Sequence, residues 1–83
     1  MPNRIVSIIG DEDTNYLYGQ LIGAEEAATK TYFNGVLIAK VGGDASGGSI
    51  NVFIEGAMAH RIGDFRACGG VTDGPIRKLI IGG

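Results

Sequence analysis

Apolar residues fall in short runs along the chain, at 5–9, 31–33, 36–38, 50–54 and 79–81, rich in Ile, Val, Tyr and Phe. Each run stops at Gly or Gly-Asp, the pattern of short strands bounded by turns. The segment Ala24-Glu25-Glu26-Ala27-Ala28-Thr29 is the only helical candidate. It is barely two turns long and lacks a stop signal, so it fits either one short helix near 24–29 or an extended loop. The fold class this predicts is all-β, or mainly so, built from short β-hairpins.

The runs also repeat. Tyr32-Phe33-Asn34-Gly35-Val36-Leu37-Ile38-Ala39-Lys40-Val41-Gly42-Gly43 aligns without a gap on Phe53-Ile54-Glu55-Gly56-Ala57-Met58-Ala59-His60-Arg61-Ile62-Gly63-Asp64. Both read as a strand, a polar-Gly turn, a second strand carrying a basic residue, and a Gly-Gly or Gly-Asp stop. Asn34-Gly35 and Glu55-Gly56 stand where a tight hairpin turn needs residues tolerant of positive φ. Ala45-Ser46-Gly47-Gly48 and Ala67-Cys68-Gly69-Gly70 follow in the same order. A third copy forms if the chain ends are joined. Leu79-Ile80-Ile81-Gly82-Gly83 then supplies the strand and turn, and Ile5-Val6-Ser7-Ile8-Ile9-Gly10-Asp11 the returning strand. Three hairpins in one chain can imitate a threefold axis, so this reading predicts pseudo-threefold symmetry and a surface able to sit on a trimer.

Composition narrows the function classes. The 83 residues include fifteen Gly, about twice ordinary usage, yet 45% of residues are apolar, which argues for turns rather than disorder. A chain this short buries only about 60% of its unfolded surface, so a disulfide, a metal or a partner often supplements its thin core. The lone Cys68 excludes an internal disulfide. A formal charge of −2 with scattered basic residues argues against nucleic-acid binding. No apolar run is long enough to span a bilayer as a helix, and the N-terminus lacks the pattern of a signal peptide. Synthesis in the cytoplasm without a secretory tag is expected.

The order and number of these motifs resemble the PAAR-repeat family, whose name-giving Pro-Ala-Ala-Arg stretch follows a strand-Gly turn and precedes Val-Gly-Asp. Leu37-Ile38-Ala39-Lys40-Val41-Gly42-Gly43 and Met58-Ala59-His60-Arg61-Ile62-Gly63-Asp64 correspond to it, the second more closely. Ala67-Cys68-Gly69-Gly70 is similar to the Cys-Gly-Gly that often comes next, and the final Leu79-Ile80-Ile81-Gly82-Gly83 to the ends of short members. The departures are the missing Pro in both copies, Lys40 for Arg, Gly43 for Asp, and Tyr18-Gly19 where an early His-Gly-Gly is expected. The resemblance implies a single domain over 1–83 with no fused effector, shaped as a small glycine-rich cone. Its base would cap a trimeric spike, one chain per trimer, and its apex would point at a target membrane met only transiently. Such tips occur in phage tails, type VI secretion systems and related contractile machines, and the chain would be a monomer until assembled into one. Alternation along the strands makes Ile5, Ile8, Tyr32, Phe33, Phe53 and Ile80 the candidate spike-docking residues.

Family members hold a metal, usually zinc, near the apex. Here His60 and Cys68 are the candidate ligands for one Zn or Fe ion, with Asp64, Asp73 or Asp44 to complete the set. The competing reading makes His60 a surface residue aligned with Ala39 and Cys68 a small buried hydrophobe. Catalysis by Cys68 would need His60 as its base, and no third orienting group is evident, so no enzyme is expected. Asp11-Glu12-Asp13 reads as a solvated turn. The alternative to a spike tip is a free-standing small β module that binds a metal or ligand.

Overall fold

The computed structural model describes residues 4–13, 25–67, 69–74 and 77–82. Among them there is no helix. Eight strands form four two-stranded antiparallel sheets. In chain order they are β1 (Arg4–Ile5), β2 (Glu12–Asp13), β3 (Ala27–Phe33), β4 (Val36–Ala39), β5 (Phe53–Ile54), β6 (Ala57–Met58), β7 (Thr72–Asp73) and β8 (Ile80–Ile81). The mainly β class predicted from the apolar runs is observed.

Two sheets are local hairpins. β3 pairs with β4 and β5 with β6, with Tyr32 opposite Leu37 and Phe53 opposite Met58. Their turns place Asn34 and Glu55 at φ of 50° and 52°, followed by Gly35 and Gly56, also at positive φ. Such a left-handed pair matches the twist of the flanking strands. A third sheet joins distant residues: β1 pairs with β8, Ile5 opposite Ile80 and Arg4 opposite Ile81. This is the pairing that the joined chain ends predict. The fourth, β2 with β7, has no counterpart in the sequence reading.

Three returning segments meet at the centre. The Ala39 N–H donates to Ser7 O (3.0 Å), Ser7 N–H to His60 O (3.3 Å), and His60 N–H to Ala39 O (3.2 Å). These three bonds close a ring, and Ser7, Ala39 and His60 are fully buried in it. A second set surrounds the first: Ile9 N–H donates to Leu37 O, Val41 N–H to Met58 O, and Ile62 N–H to Ile5 O. The bridges Ile8–Ile38, Lys40–Ala59 and Val6–Arg61 belong to the same closure. Strands of two residues could not persist alone; here segments 5–9, 37–41 and 58–62 each hydrogen-bond to both of the others.

Beneath the ring lies the apolar core. Val6, Ile38 and Ala59 come from the three returning segments, and Ile54 and Ile81 from the strands that pair with them. Ala28 completes the cluster and Phe33 packs against it. Ala39, Ala45 and Ile9 form a smaller cluster. The whole measures 27 × 26 × 22 Å.

The helical option for 24–29 is overturned where it can be seen. Residues 27–29 open β3, and Glu25–Glu26 form the turn before it; Ala24 lies outside the described residues. The Glu26 carbonyl accepts from Lys40 N–H at 2.8 Å, and Ala27 pairs with Ala39, so edge pairing outweighs a weak two-turn helix. The solvated turn expected at Asp11-Glu12-Asp13 is also corrected. Asp11 is buried and ion-paired, and Glu12–Asp13 are β2.

Candidate functional site

Each hairpin of the ring turns one large apolar residue away from the core. In β3, Phe33 faces the core and Tyr32 faces out; in β5, Ile54 is buried and Phe53 is out; in β8, Ile81 is buried and Ile80 is out. The exposures of Tyr32, Phe53 and Ile80 are 59%, 59% and 58%. Strand alternation gives the cause, because the neighbouring residue is claimed by the core. Val36, Val52 and Leu79, on or beside the same strands, add further exposed apolar surface. Ile50 and Phe65 are as exposed elsewhere in the chain, so what sets Tyr32, Phe53 and Ile80 apart is their matching place in the three hairpins.

The six docking candidates thus divide. Tyr32, Phe53 and Ile80 are strongly exposed, while Ile5, Ile8 and Phe33 are half-buried, Phe33 against the core. Val52 and Leu79 were missed by the sequence reading. Each lies one residue ahead of an outward residue, where alternation alone predicts an inward side chain.

His60 is the second point of interest, and its place corrects the surface reading. Its ring is buried between Gly47 O, 2.7 Å from Nδ1, and Thr72 Oγ1, 2.6 Å from Nε2. A carbonyl can only accept, so Nδ1 carries the proton and Nε2 accepts from the Thr72 hydroxyl. Burial pushes the imidazole pKa below its ordinary value, outweighing the Gly47 carbonyl and the charges of Asp64 and Asp44, which favour protonation. Arg66 adds to the lowering. His60 therefore ties the Gly47 loop and β7 to the ring as a neutral group.

That arrangement does not by itself make a metal centre. Among the described residues no three His, Cys, Asp or Glu side chains converge. The Nε2 lone pair is committed to Thr72. Cys68, the other candidate ligand, lies outside the described residues, as does Tyr18-Gly19. Asp64 and Asp44 are engaged by arginines, Asp64 by Arg61 at 2.8 Å and Arg4 at 3.0 Å, Asp44 by Arg66 at 2.6 Å. Asp73 is exposed in β7.

The Gly-Asp stops are built alike. The Asp64 carboxylate accepts from Arg61 N–H (2.8 Å) while Asp64 N–H donates to Arg61 O. The Asp11 carboxylate accepts from Ile8 N–H (3.0 Å) while Asp11 N–H donates to Ile8 O. Arg77 grips Asp11 with both terminal nitrogens. Where the first repeat has Gly43 instead of Asp, the Glu25–Glu26 turn fills the place. A β-carbon on Gly42 would overlap Glu25 O, and one on Gly43 would overlap the Glu26 carboxylate.

Compared with models of protein families, with curated proteins and with solved structures, the chain matches none.

Proposed function

We propose that this protein is the tip of a spike in a contractile injection machine, of the phage-tail or type VI secretion kind. It would cap and sharpen the blunt end of a trimer and help pierce the target envelope, acting mechanically rather than as an enzyme. The observation that carries this reading is the set Tyr32, Phe53 and Ile80, equally exposed on three hairpins that a ring of backbone bonds joins. Residues 32, 53 and 80 hold corresponding positions in the three copies, as do Ala39, His60 and Ser7 in the ring. A pseudo-threefold face of this sort offers each protomer of a trimer a comparable apolar contact. Pseudo-threefold order and a taper away from this face belong to the proposal, and the single-domain organisation with it. Rigidity follows from the inter-hairpin bonds and the buried ion pairs, which suits a part that transmits force. The reading rests on the outward apolar set and not on a metal.

The test is light scattering on a size-exclusion column, with the chain alone and with a trimeric spike protein from the same genome. A complex of one chain per trimer is expected, lost on the triple substitution Tyr32→Ser, Phe53→Ser and Ile80→Ser. These side chains are exposed, so circular dichroism of the variant should match the parent. A monomer that ignores the trimer would overturn the proposal in favour of a free-standing β module.

A further inference from the structure

The basic residues sort into two groups. Arg4, Arg61, Arg66 and Arg77 are each paired with a carboxylate, and the Lys40 ammonium donates to Glu25 O. The other two of the seven, Lys30 and Lys78, are exposed, and neither ammonium has a carboxylate partner among the described residues. The nearby Glu55 carboxylate, two residues past Phe53, keeps its negative charge and takes the N–H groups of Thr29 and Lys30 and the hydroxyls of Thr29 and Thr31 rather than an ammonium. Lys30 stands two residues ahead of Tyr32 and Lys78 two ahead of Ile80. Asn51 holds the same place ahead of Phe53, and it too is exposed. In a chain of net charge −2, the two lysines without a carboxylate partner among the described residues thus both stand two places ahead of an outward apolar residue.

We infer that the surface covering Tyr32, Phe53 and Ile80 belongs to a partner whose apolar centre is ringed by carboxylates, and that Lys30 and Lys78 guide it into place. This rests on the spike-tip reading and names the chemistry of the trimer's end. An apolar centre with a charged rim is the ordinary anatomy of an interface. Rim charges act mainly on the encounter, through long-range attraction that salt screens. On a homotrimer the three protomers present the same carboxylates, so two are met by lysine and the third faces Asn51.

The test measures association rates with the trimeric spike protein at low and high salt. The double variant Lys30→Glu, Lys78→Glu should associate about tenfold more slowly than the parent at low salt, and the difference should shrink at high salt. Asn51→Lys, which fills the third place, should associate about twofold to threefold faster at low salt. Unchanged rates in both variants would overturn the inference, and a faster double variant would show a basic rim instead. A parent chain that does not bind the trimer at all would overturn the spike-tip reading itself, and this inference with it. Asn51→Lys keeps the test decisive if the double variant folds poorly.

Discussion

Residues 36–43 and 57–64 take the same path through the fold, yet their outer ends are held by different means. The second ends in Asp64, whose carboxylate closes its own turn and takes Arg61 and Arg4. The first ends in Gly43, and a separate turn supplies what Asp64 supplies in the other. Lys40 N–H donates to Glu26 O, the Lys40 ammonium to Glu25 O, and the Glu26 carboxylate accepts from Asp44 N–H. A structural role can thus pass from a local side chain to a distant segment. The sequence trace of that transfer is a glycine where an aspartate is expected.

The sharpest way to break the comparison is Asp64→Ala. It strands the nearly buried Arg61, and losing one partner of a buried pair costs about 3–5 kcal/mol. A domain with stability near the lower end of the usual range, about 5 kcal/mol, would keep only about 0–2 kcal/mol, and urea titration would show its midpoint moved close to zero denaturant. Next comes Gly43→Asp, which makes the first repeat look like the second. A reading of the motif alone expects stabilisation. The structure predicts a loss of about 1–3 kcal/mol, from overpacking against the Glu26 carboxylate, partly restored by adding Glu26→Ala.

Ala39 and His60 extend the contrast to the ring. Both are fully buried, but only His60 carries polar atoms that need partners. Thr72→Val removes the hydroxyl donor at Nε2 and should cost about 1–2 kcal/mol. Because burial lowers the His60 pKa, the folded state resists protonation. Full stability is therefore kept above the ordinary value of 6.5 and declines as pH falls below it, levelling off once the folded imidazole also protonates. Melting temperatures from pH 8 to pH 5 should show that decline, and a variant with His60→Gln should lack it.

The smallest effect is expected at Glu55, the hairpin turn that clasps β3. Its carboxyl pKa is lowered from 4.5 to about 2, first by the N–H of Thr29 and then by that of Lys30. Its contribution is present above pH 4.5 and is lost as pH falls through about 2. Glu55→Gln should be slightly less stable than the parent at neutral pH, and the two should converge in acid. Asn34, the matching turn residue, has no carboxylate, so Asn34→Gln should show no such convergence.

Much of the strand plan was legible because it rests on short-range signals. Asn34-Gly35 and Glu55-Gly56 state their turns directly, and the repeat spacing carried the pairing of β1 with β8. What could not be read depends on contacts between distant segments. The alignment places Ser7 and Ala39 beside His60, but nothing in those residue types announces a shared ring of backbone bonds. The Thr72–His60 bond and the Arg77–Asp11 pair join residues with no common motif. The outward set was half legible. Alternation found Tyr32, Phe53 and Ile80, but it could not tell that Phe33 is drawn against the core or that Val52 and Leu79 stay out.

The pairing of β1 with β8 also sets a clock on the newborn chain. Ile5 and Val6 are made long before their partners, Ile80 and Leu79. At about 5–20 residues per second, Ile5 and Val6 wait several seconds for those partners, while Ser7, Ile8 and Ile9 find theirs earlier in Leu37, Ile38, Ala39 and His60. The ring of Ser7, Ala39 and His60 needs nothing beyond residue 60, but β1 stays without β8 until the last of these strands is made. The pairing of β1 with β8 forms late, from contacts far apart in the chain, which makes for slow folding. During that interval a chaperone holding the first strand would guard against the edge-to-edge pairing that such a segment invites.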